Sequence, residues 1–310
     1  MADAAASVSA KELKRQQKEF RKEYNKKYKV KHHYSAGFII WTIVKYFTLC
    51  FAAFMALLPI VSCVITSFKT DEEYKSTNVM TLPAKWAVSN YARTFSKANM
   101  GRAFINSGII LVCVLVLSIL IGTQLAYVLN RFKFPGNALI RSLFTFASLL
   151  PGIAMQVSVY ELMTKLNFVN TMYGYIIMMC GTDVISIYIF IQYFENLPVA
   201  LDESATIDGA NLFQIYGKIL LPLLKPAIMT SMILKGASTY NEYYCANLYL
   251  QDKKRLCTVA TSLYTFTGPM GNQYNLICCG VIISMLPALI LFLLAQDQIY
   301  SGIAGGAVKG

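Results

Sequence analysis

FINSGIILVCVLVLSILIGTQLAYVLN, residues 104–130, runs for 27 positions without one Asp, Glu, Lys or Arg. As a helix it would rise about 40 Å, more than the roughly 30 Å of a bilayer's hydrocarbon core, where only a helix or a closed barrel satisfies every backbone amide. Five further stretches read the same way: 46–68, 142–163, 169–194 with Asp183 inside it, 223–248 carrying Lys235 and Glu242, and 276–295. To bury six such helices in a soluble core would require a polar remainder to cover them. Composition denies it: 56% of residues are hydrophobic, 14% are charged and the mean hydropathy is +0.48, whereas soluble chains carry about 25% charged residues. Disorder, a collagen-like repeat and a disulfide scaffold are excluded on the same grounds. The sequence predicts an all-α polytopic membrane protein with six transmembrane helices.

Charge orients the spans. The first 35 residues hold ten Lys/Arg directly ahead of the first span and show no short apolar core or small-residue cleavage site, so they read as a retained basic tail rather than a signal peptide. Such a cluster stays on the cytoplasmic side. Six crossings then put both termini, the 131–137 turn and the 195–222 loop in the cytoplasm, with 69–103, 164–168 and 249–275 outside. The outer side is not free of positive charge, since Lys69, Lys75, Lys85, Arg93, Lys97 and Arg102 fall in its first loop. Domain limits follow: a tail over 1–40, a membrane domain over 41–300 and a second tail over 301–310. Tyr46, Tyr127, Tyr193 and Tyr249 read as interfacial anchors, and Pro59, Pro151 and Pro287 as bends in spans one, three and six.

Several chemistries are missing. The eight cysteines form no CxxC pair, and His32 and His33 sit in the basic tail, so no metal site is expected. No converging catalytic set lies within the spans, and no GxxxxGKS/T phosphate loop is present. The chain reads as a non-enzyme, and the basic tail as a membrane-orientation signal rather than a nucleic-acid arm.

The loop ENLPVALDESATIDGANLFQIYGKILLPLLKPA, residues 195–227, carries the function. Pro198 suits a helix start, Leu201, Ser204 and Ala205 fall at helical spacing, and Asp202 and Glu203 sit near the positive N-terminal end. Gly209 can take the left-handed conformation that stops this helix. A second short helix, about 211–221, runs to Pro222. The expectation is two small helices bent about a glycine, a knob that a soluble partner can grip.

Here a resemblance enters. Glu203, Ser204, Ala205, Asp208, Gly209, Ile219, Leu221 and Pro222 resemble the EAA loop of binding-protein-dependent ABC importers, with Ser204 in place of the family's first Ala. SFKTDEE (67–73), NYARTF (90–95), FINS (104–107), AYVLNRFKFPG (126–136), LLPG (149–152), NT (170–171), ILLPLLKPAI (219–228), YNEY (240–243) and GIAGGAVKG (302–310) extend the likeness almost end to end. They are similar to carbohydrate permeases of the maltose-transporter type, in particular the smaller membrane subunit. The resemblance implies a type I ABC importer permease fold with a cytoplasmic coupling helix in a bacterial inner membrane. Its implied partners are a homologous second permease subunit, two ATPase subunits that bind ATP and Mg²⁺, and an extracytoplasmic sugar-binding protein. It further implies that the C-terminal tail, with Gly305, Gly306 and Lys309, reaches between the ATPase subunits.

Within the membrane, Lys235, Thr239 and Glu242 fall on one helical stripe, which is expected to face inward because a mid-depth charge costs about 2.5–3.5 kcal/mol. Tyr240, Asn241, Glu242 and Tyr243, with Lys235, form the candidate substrate path, since sugars are held by polar groups and aromatic faces. Lys235 is equally well read as a structural partner of Asp183. A secondary transporter would carry both repeats and a complete path in one chain, which six spans and a docking loop fit poorly.

Overall fold

The computed structural model describes residues 18–19, 36–181, 183–268 and 272–307, with the backbone alone at 36, 295 and 297–307. Among them there is no strand. Two units divide after Pro59, within the first long helix, α1 (Ala36–Ser67).

In the first unit α1 exposes Phe47, Phe51 and Phe54, and its hydroxyls turn inward: Thr42 Oγ1 donates to Phe38 O (2.8 Å) and Thr48 Oγ1 to Val44 O (2.9 Å). Back-bonding of this kind removes the two threonine hydroxyls as a polar demand on lipid, while Lys45, over the Tyr46 ring, remains the charged group of this stretch. α1 begins ten residues ahead of the span expected over 46–68 and runs through Pro59 unbroken.

After a single helical turn at Glu73–Ser76, the second unit follows α1 with α2 (Ser89–Lys97), α3 (Met100–Arg131), α4 (Asn137–Leu149), α5 (Gly152–Lys165), α6 (Met172–Gly181), α7 (Val184–Glu195), α8 (Ala200–Ile207), α9 (Leu212–Leu223), α10 (Lys225–Asn241), α11 (Tyr244–Tyr249), α12 (Val259–Ser262) and α13 (Tyr274–Ala307). α3 is the spine. Its buried residues Ala103, Ser107, Ile110, Val114, Ser118, Gly122, Ala126 and Leu129 recur every three or four positions along one stripe. Burying Leu against Leu gains little where the solvent is itself hydrocarbon, so close approach at small residues matters more. Gly122 meets α7 in this way: a Cβ there would lie 3.0 Å from the ring of Phe190.

Three described helices are long and apolar enough to cross a membrane, and three bent pairs bring the number to six. The chain is a multi-pass membrane protein. The third expected span is not one helix: α4 and α5 meet at 108°. Leu150 and Pro151 are both extended there, because proline crowds the helical region of the residue before it and cannot supply its own amide. The fourth span bends by 45° between α6 and α7, where Asp183 Oδ1 accepts from Ser186 N (3.4 Å) and caps α7. α9 and α10 meet at 72° around Leu224. Pro287, like Pro59, lies in an unbroken helix. Of the four tyrosines expected at the interface, Tyr127 and Tyr249 are buried instead, packed against Phe194 and Tyr160 respectively.

At the end of the unit where α1 finishes, the 67–97 segment is clasped to the start of α13. Arg93 Nη1 contacts Asp71 Oδ2 (2.9 Å), Asn275 Nδ2 donates to Asp71 Oδ1 (2.7 Å), and Asn90 Nδ2 donates to Ser67 O and Lys69 O. The Asn275 amide and the Arg93 guanidinium hold the Asp71 carboxyl below its ordinary range despite some burial.

Candidate functional site

The 195–224 segment forms a hook. Asp202 and Glu203 occupy the first turn of α8, where the helix dipole favours them. Its far end closes by a double reverse bond, Ala210 N to Ala205 O (2.9 Å) and Gly209 N to Thr206 O (3.0 Å), with Gly209 at φ +83°. That pattern requires a left-handed residue, which glycine supplies without a Cβ clash. Asn211 then opens α9 with a reciprocal cap: its Oδ1 accepts from Gln214 N and its own N donates to Gln214 Oε1, both at 2.9 Å. Within α9, residues 215–220 are a π turn, and Leu221 N bonds to Tyr216 O five residues back. Pro222 and Pro226 each lack a donor, and the chain bends at Leu224 between them.

The base of the hook is welded to the spine. Ala205, Ile215, Leu220 and Leu224 are buried among Ala126, Tyr127, Leu129, Phe190 and Phe194 of α3 and α7. Thr123 and Tyr216 share a hydrogen bond of 2.7 Å between their hydroxyls. Arg131, the last residue of α3, reaches under α8: its Nε lies 3.2 Å from Asp202 Oδ2, and Nη2 donates to Leu197 O at 3.0 Å. The side chains are 8% and 16% exposed, and the Nε–Oδ2 approach is a charge contact rather than an aligned hydrogen bond.

The outer rim is different. Glu203, Ser204, Asp208 and Gly209 are exposed, and although Glu203 N donates to Val199 O (3.2 Å), its carboxylate accepts no hydrogen bond from the described residues of the loop. On either side of the glycine turn, Ile207 is 86% and Phe213 88% exposed. A helix tip with two bare apolar side chains beside unpaired acids has the composition of a docking surface. Of the residues singled out in the sequence, Ala205 lies inside the base, Ile219 and Leu221 are half-buried, and Pro222 is exposed. Sequence reasoning missed Ile207, Phe213 and Arg131 as working parts, and placed Asp202 at the helix start without its partner. The apolar pair across a glycine in an extramembrane loop was the available signal; the Arg131–Asp202 contact had none.

The expected path is rearranged. Lys235 and Thr239 do share a stripe of α10, but it is the buried one, with Ala227 and Ser231. Lys235 Nζ donates to Met179 O (2.8 Å), so the helix end at α6 solvates the ammonium, and no ion pair with Asp183 forms. Glu242 is not on that stripe. α10 ends at Asn241, Glu242 is extended, and its Oε1 accepts from Cys245 N (2.8 Å) to start α11. Tyr240 is half-buried, its hydroxyl donating to Ser284 O (2.7 Å), while Asn241 is exposed and the Tyr243 ring lies tilted against that of Tyr264, centroids 5.8 Å apart. α13 remains helical through Gly305 and Gly306 to Ala307, past the boundary expected at 301, because nothing breaks the helix there. Lys309 and most of the basic tail lie outside the described residues.

Comparison with known proteins agrees with this architecture. Residues 115–304 match the family described as "Binding-protein-dependent transport system inner membrane component". The trehalose/maltose transport system permease protein MalG of Thermococcus litoralis is 30% identical over 83% of this chain and 93% of its own length. The arabinooligosaccharides transport system permease protein AraQ of Halalkalibacterium halodurans is 29% identical over 84% and 94%. The melibiose/raffinose/stachyose import permease protein MelC of Bacillus subtilis is 29% identical over 82% and 91%. Among solved structures, a chain of a bacterial ABC transporter involved in the import of the acidic polysaccharide alginate superposes with a TM-score of 0.75 at 22% identity, covering 85% of this chain and 98% of that one. The chain belongs to the family of inner membrane components of binding-protein-dependent transport systems.

Proposed function

We propose that this chain is one of two homologous membrane subunits of an ATP-driven importer for a sugar or oligosaccharide delivered by an extracytoplasmic binding protein. Two separate ATPase subunits hold ATP and Mg²⁺ and engage the hook from the cytoplasm, where both termini lie. The observation that carries this reading is the contrast within the hook: a base buried against α3 and α7, and a rim that leaves Ile207 and Phe213 bare. A part fixed at one end and apolar at the other transmits a partner's motion as rigid-body rotation of the attached spans, where a loose loop would absorb it. The family and the sugar transport named in its relatives supply the cargo class.

Cysteines at 207 and 213 provide the test. In inverted membrane vesicles, a bifunctional thiol crosslinker is expected to join both to a nucleotide-hydrolysing subunit, and sugar uptake by right-side-out vesicles to require ATP. Uptake driven by an ion gradient with no ATPase captured would overturn the reading.

A further inference from the structure

The 77–88 loop, between the end of α1 and α2, is held firmly and yet turns its apolar side chains outward. Its base is tied down: Lys69 Nζ donates to Thr77 Oγ1 (3.0 Å) and to Asn78 O, Glu73 Oε1 accepts from Ala84 N (2.6 Å), and Pro83 is buried. Val79, Met80, Leu82, Trp86 and Val88 are nevertheless bare, Leu82 at 66% and Trp86 at 61% exposure. The other loop at this end of the unit is built differently. Over residues 250–268, Leu250, Cys257, Val259 and Phe266 are buried, and Tyr264 is the one large hydrophobic side chain left exposed.

Two contacts fix the depth of the 77–88 loop. The uncharged run 46–68 ends between Phe68 and Lys69, which marks the edge of the hydrocarbon. Ala87 N donates to Phe68 O (2.8 Å), and the Trp86 ring centroid lies 5.2 Å from that of Phe68. Trp86 therefore stands at the level tryptophan favours, where one side of the indole is apolar and its N–H can meet water. Lys85 beside it is exposed, and a lysine in this place lays its stem on apolar surface and lifts its ammonium to the headgroup phosphates.

The surface continues into the membrane domain. From Val88, Ala92 and Phe95 follow at helical spacing along α2, all exposed. A Cβ at Gly101 would lie 3.8 Å from the Phe95 ring, so Phe95 covers the top of the α3 face on which Ile105, Ile109, Val112 and Val116 are exposed. The patch is thus the upper rim of a wall at hydrocarbon depth. A landing site for a soluble protein would stand clear of that wall.

We infer that residues 79–95 rest in the bilayer interface, with Leu82, Val88 and Phe95 in the acyl-chain boundary and Trp86 and Lys85 among the headgroups. The partner is the phospholipid surface itself. Because the loop hangs from Phe68 and Lys69, it sets the height of the end of α1 against the membrane. The inference needs only a chain that spans a bilayer, so failure of the importer reading leaves it standing.

The test is photolabelling of the complete transporter in proteoliposomes by a phosphatidylcholine with a diazirine at the carbonyl end of one acyl chain, adducts being located by peptide mass spectrometry. Leu82 and Trp86 are expected to be labelled at least as heavily as Ile105. A second probe, with the diazirine at the chain end, should favour Val116, about 16 Å deeper along α3, over Trp86. The double variant Leu82→Ser/Trp86→Ser should lose adducts at Val79 and Val88 as well, because the loop lifts away. An unlabelled 79–95 segment beside a labelled Ile105 would overturn the inference, as would adducts at Val79 and Val88 unchanged in the double variant. Adducts that vanish when binding protein is added would give the surface to a soluble partner instead, and chain-end labelling of Trp86 equal to that of Val116 would place the loop against a neighbouring span. Either result would equally overturn it.

Discussion

Removing the Arg131 guanidinium tests the weld between spine and hook. In Arg131→Ala the carboxylate of Asp202, 16% exposed, loses the charge 3.2 Å away, and Leu197 O loses its donor. Breaking one side of a buried pair costs about 3–5 kcal/mol, and the partial exposure of Asp202 places this case near about 3 kcal/mol. The loss falls on the docking of α8 against α3 rather than on the membrane helices, which keep their packing. Since about 1.4 kcal/mol is one decade, hook opening should rise by about two decades. Amide hydrogen exchange read by mass spectrometry on the detergent-solubilised transporter would register this as faster exchange over residues 199–210, with α10 unaffected. Sugar uptake should fall while ATP hydrolysis continues. Asp202→Asn, which keeps the shape, should cost less, and the double variant Arg131→Met/Asp202→Leu should recover most of the protection, because an apolar pair of similar volume avoids the stranded charge. Exchange over 199–210 within twofold of wild type in Arg131→Ala would refute the weld.

Gly209→Val should insert and assemble but hydrolyse ATP without uptake. The site has open space around it, so the penalty is the left-handed backbone alone, about 1–2 kcal/mol, paid at the turn that sets the rim. Normal coupling in that variant would argue against the geometry of the hook. Gly174→Ala would place a Cβ 2.4 Å from Phe168 O and should lower the melting temperature in detergent, whereas Gly108→Ala, which meets nothing within 4 Å, should leave it unchanged or raised. Equal shifts would contradict the close approach of Gly174 in α6 to the Phe168–Thr171 turn before it. The Asp71 clasp gives a pH signature. A carboxyl held below its unfolded value of about 3.9 contributes stability that is fully present above that pH and is lost as pH falls through the lower folded value. The melting-temperature difference between wild type and Asp71→Asn should therefore stay flat from neutral pH to about 4 and shrink below it. A difference that shrinks at pH 6 would rule out the clasp.

The number of crossings and the glycine-centred hook were legible because each rests on local rules: length of apolar run, cap residues and the one residue type that tolerates φ +83°. The break at Pro151 was legible as a bend but not as a turn of 108°, since proline specifies a missing donor and a restricted neighbour, not the direction the chain then takes. The inward stripe was misread because helical spacing was extended through Glu242. A carboxylate able to cap the following helix ends the preceding one, and that choice depends on Cys245 N being in reach. Lys235 looked like a functional charge for the same reason that any buried lysine does, and only the position of Met179 O shows it to be internally solvated.

The bare rim of the hook carries a cost for a copy made without its partners. If the hook docks on an ATPase subunit as proposed above, Ile207 and Phe213, 86% and 88% exposed in the isolated chain, stay bare until that partner covers them. Orphan copies would thus display a signal that chaperones and proteases read. Surplus synthesis would be cleared rather than stored, and the stoichiometry of the transporter would be enforced by the same two side chains that join it.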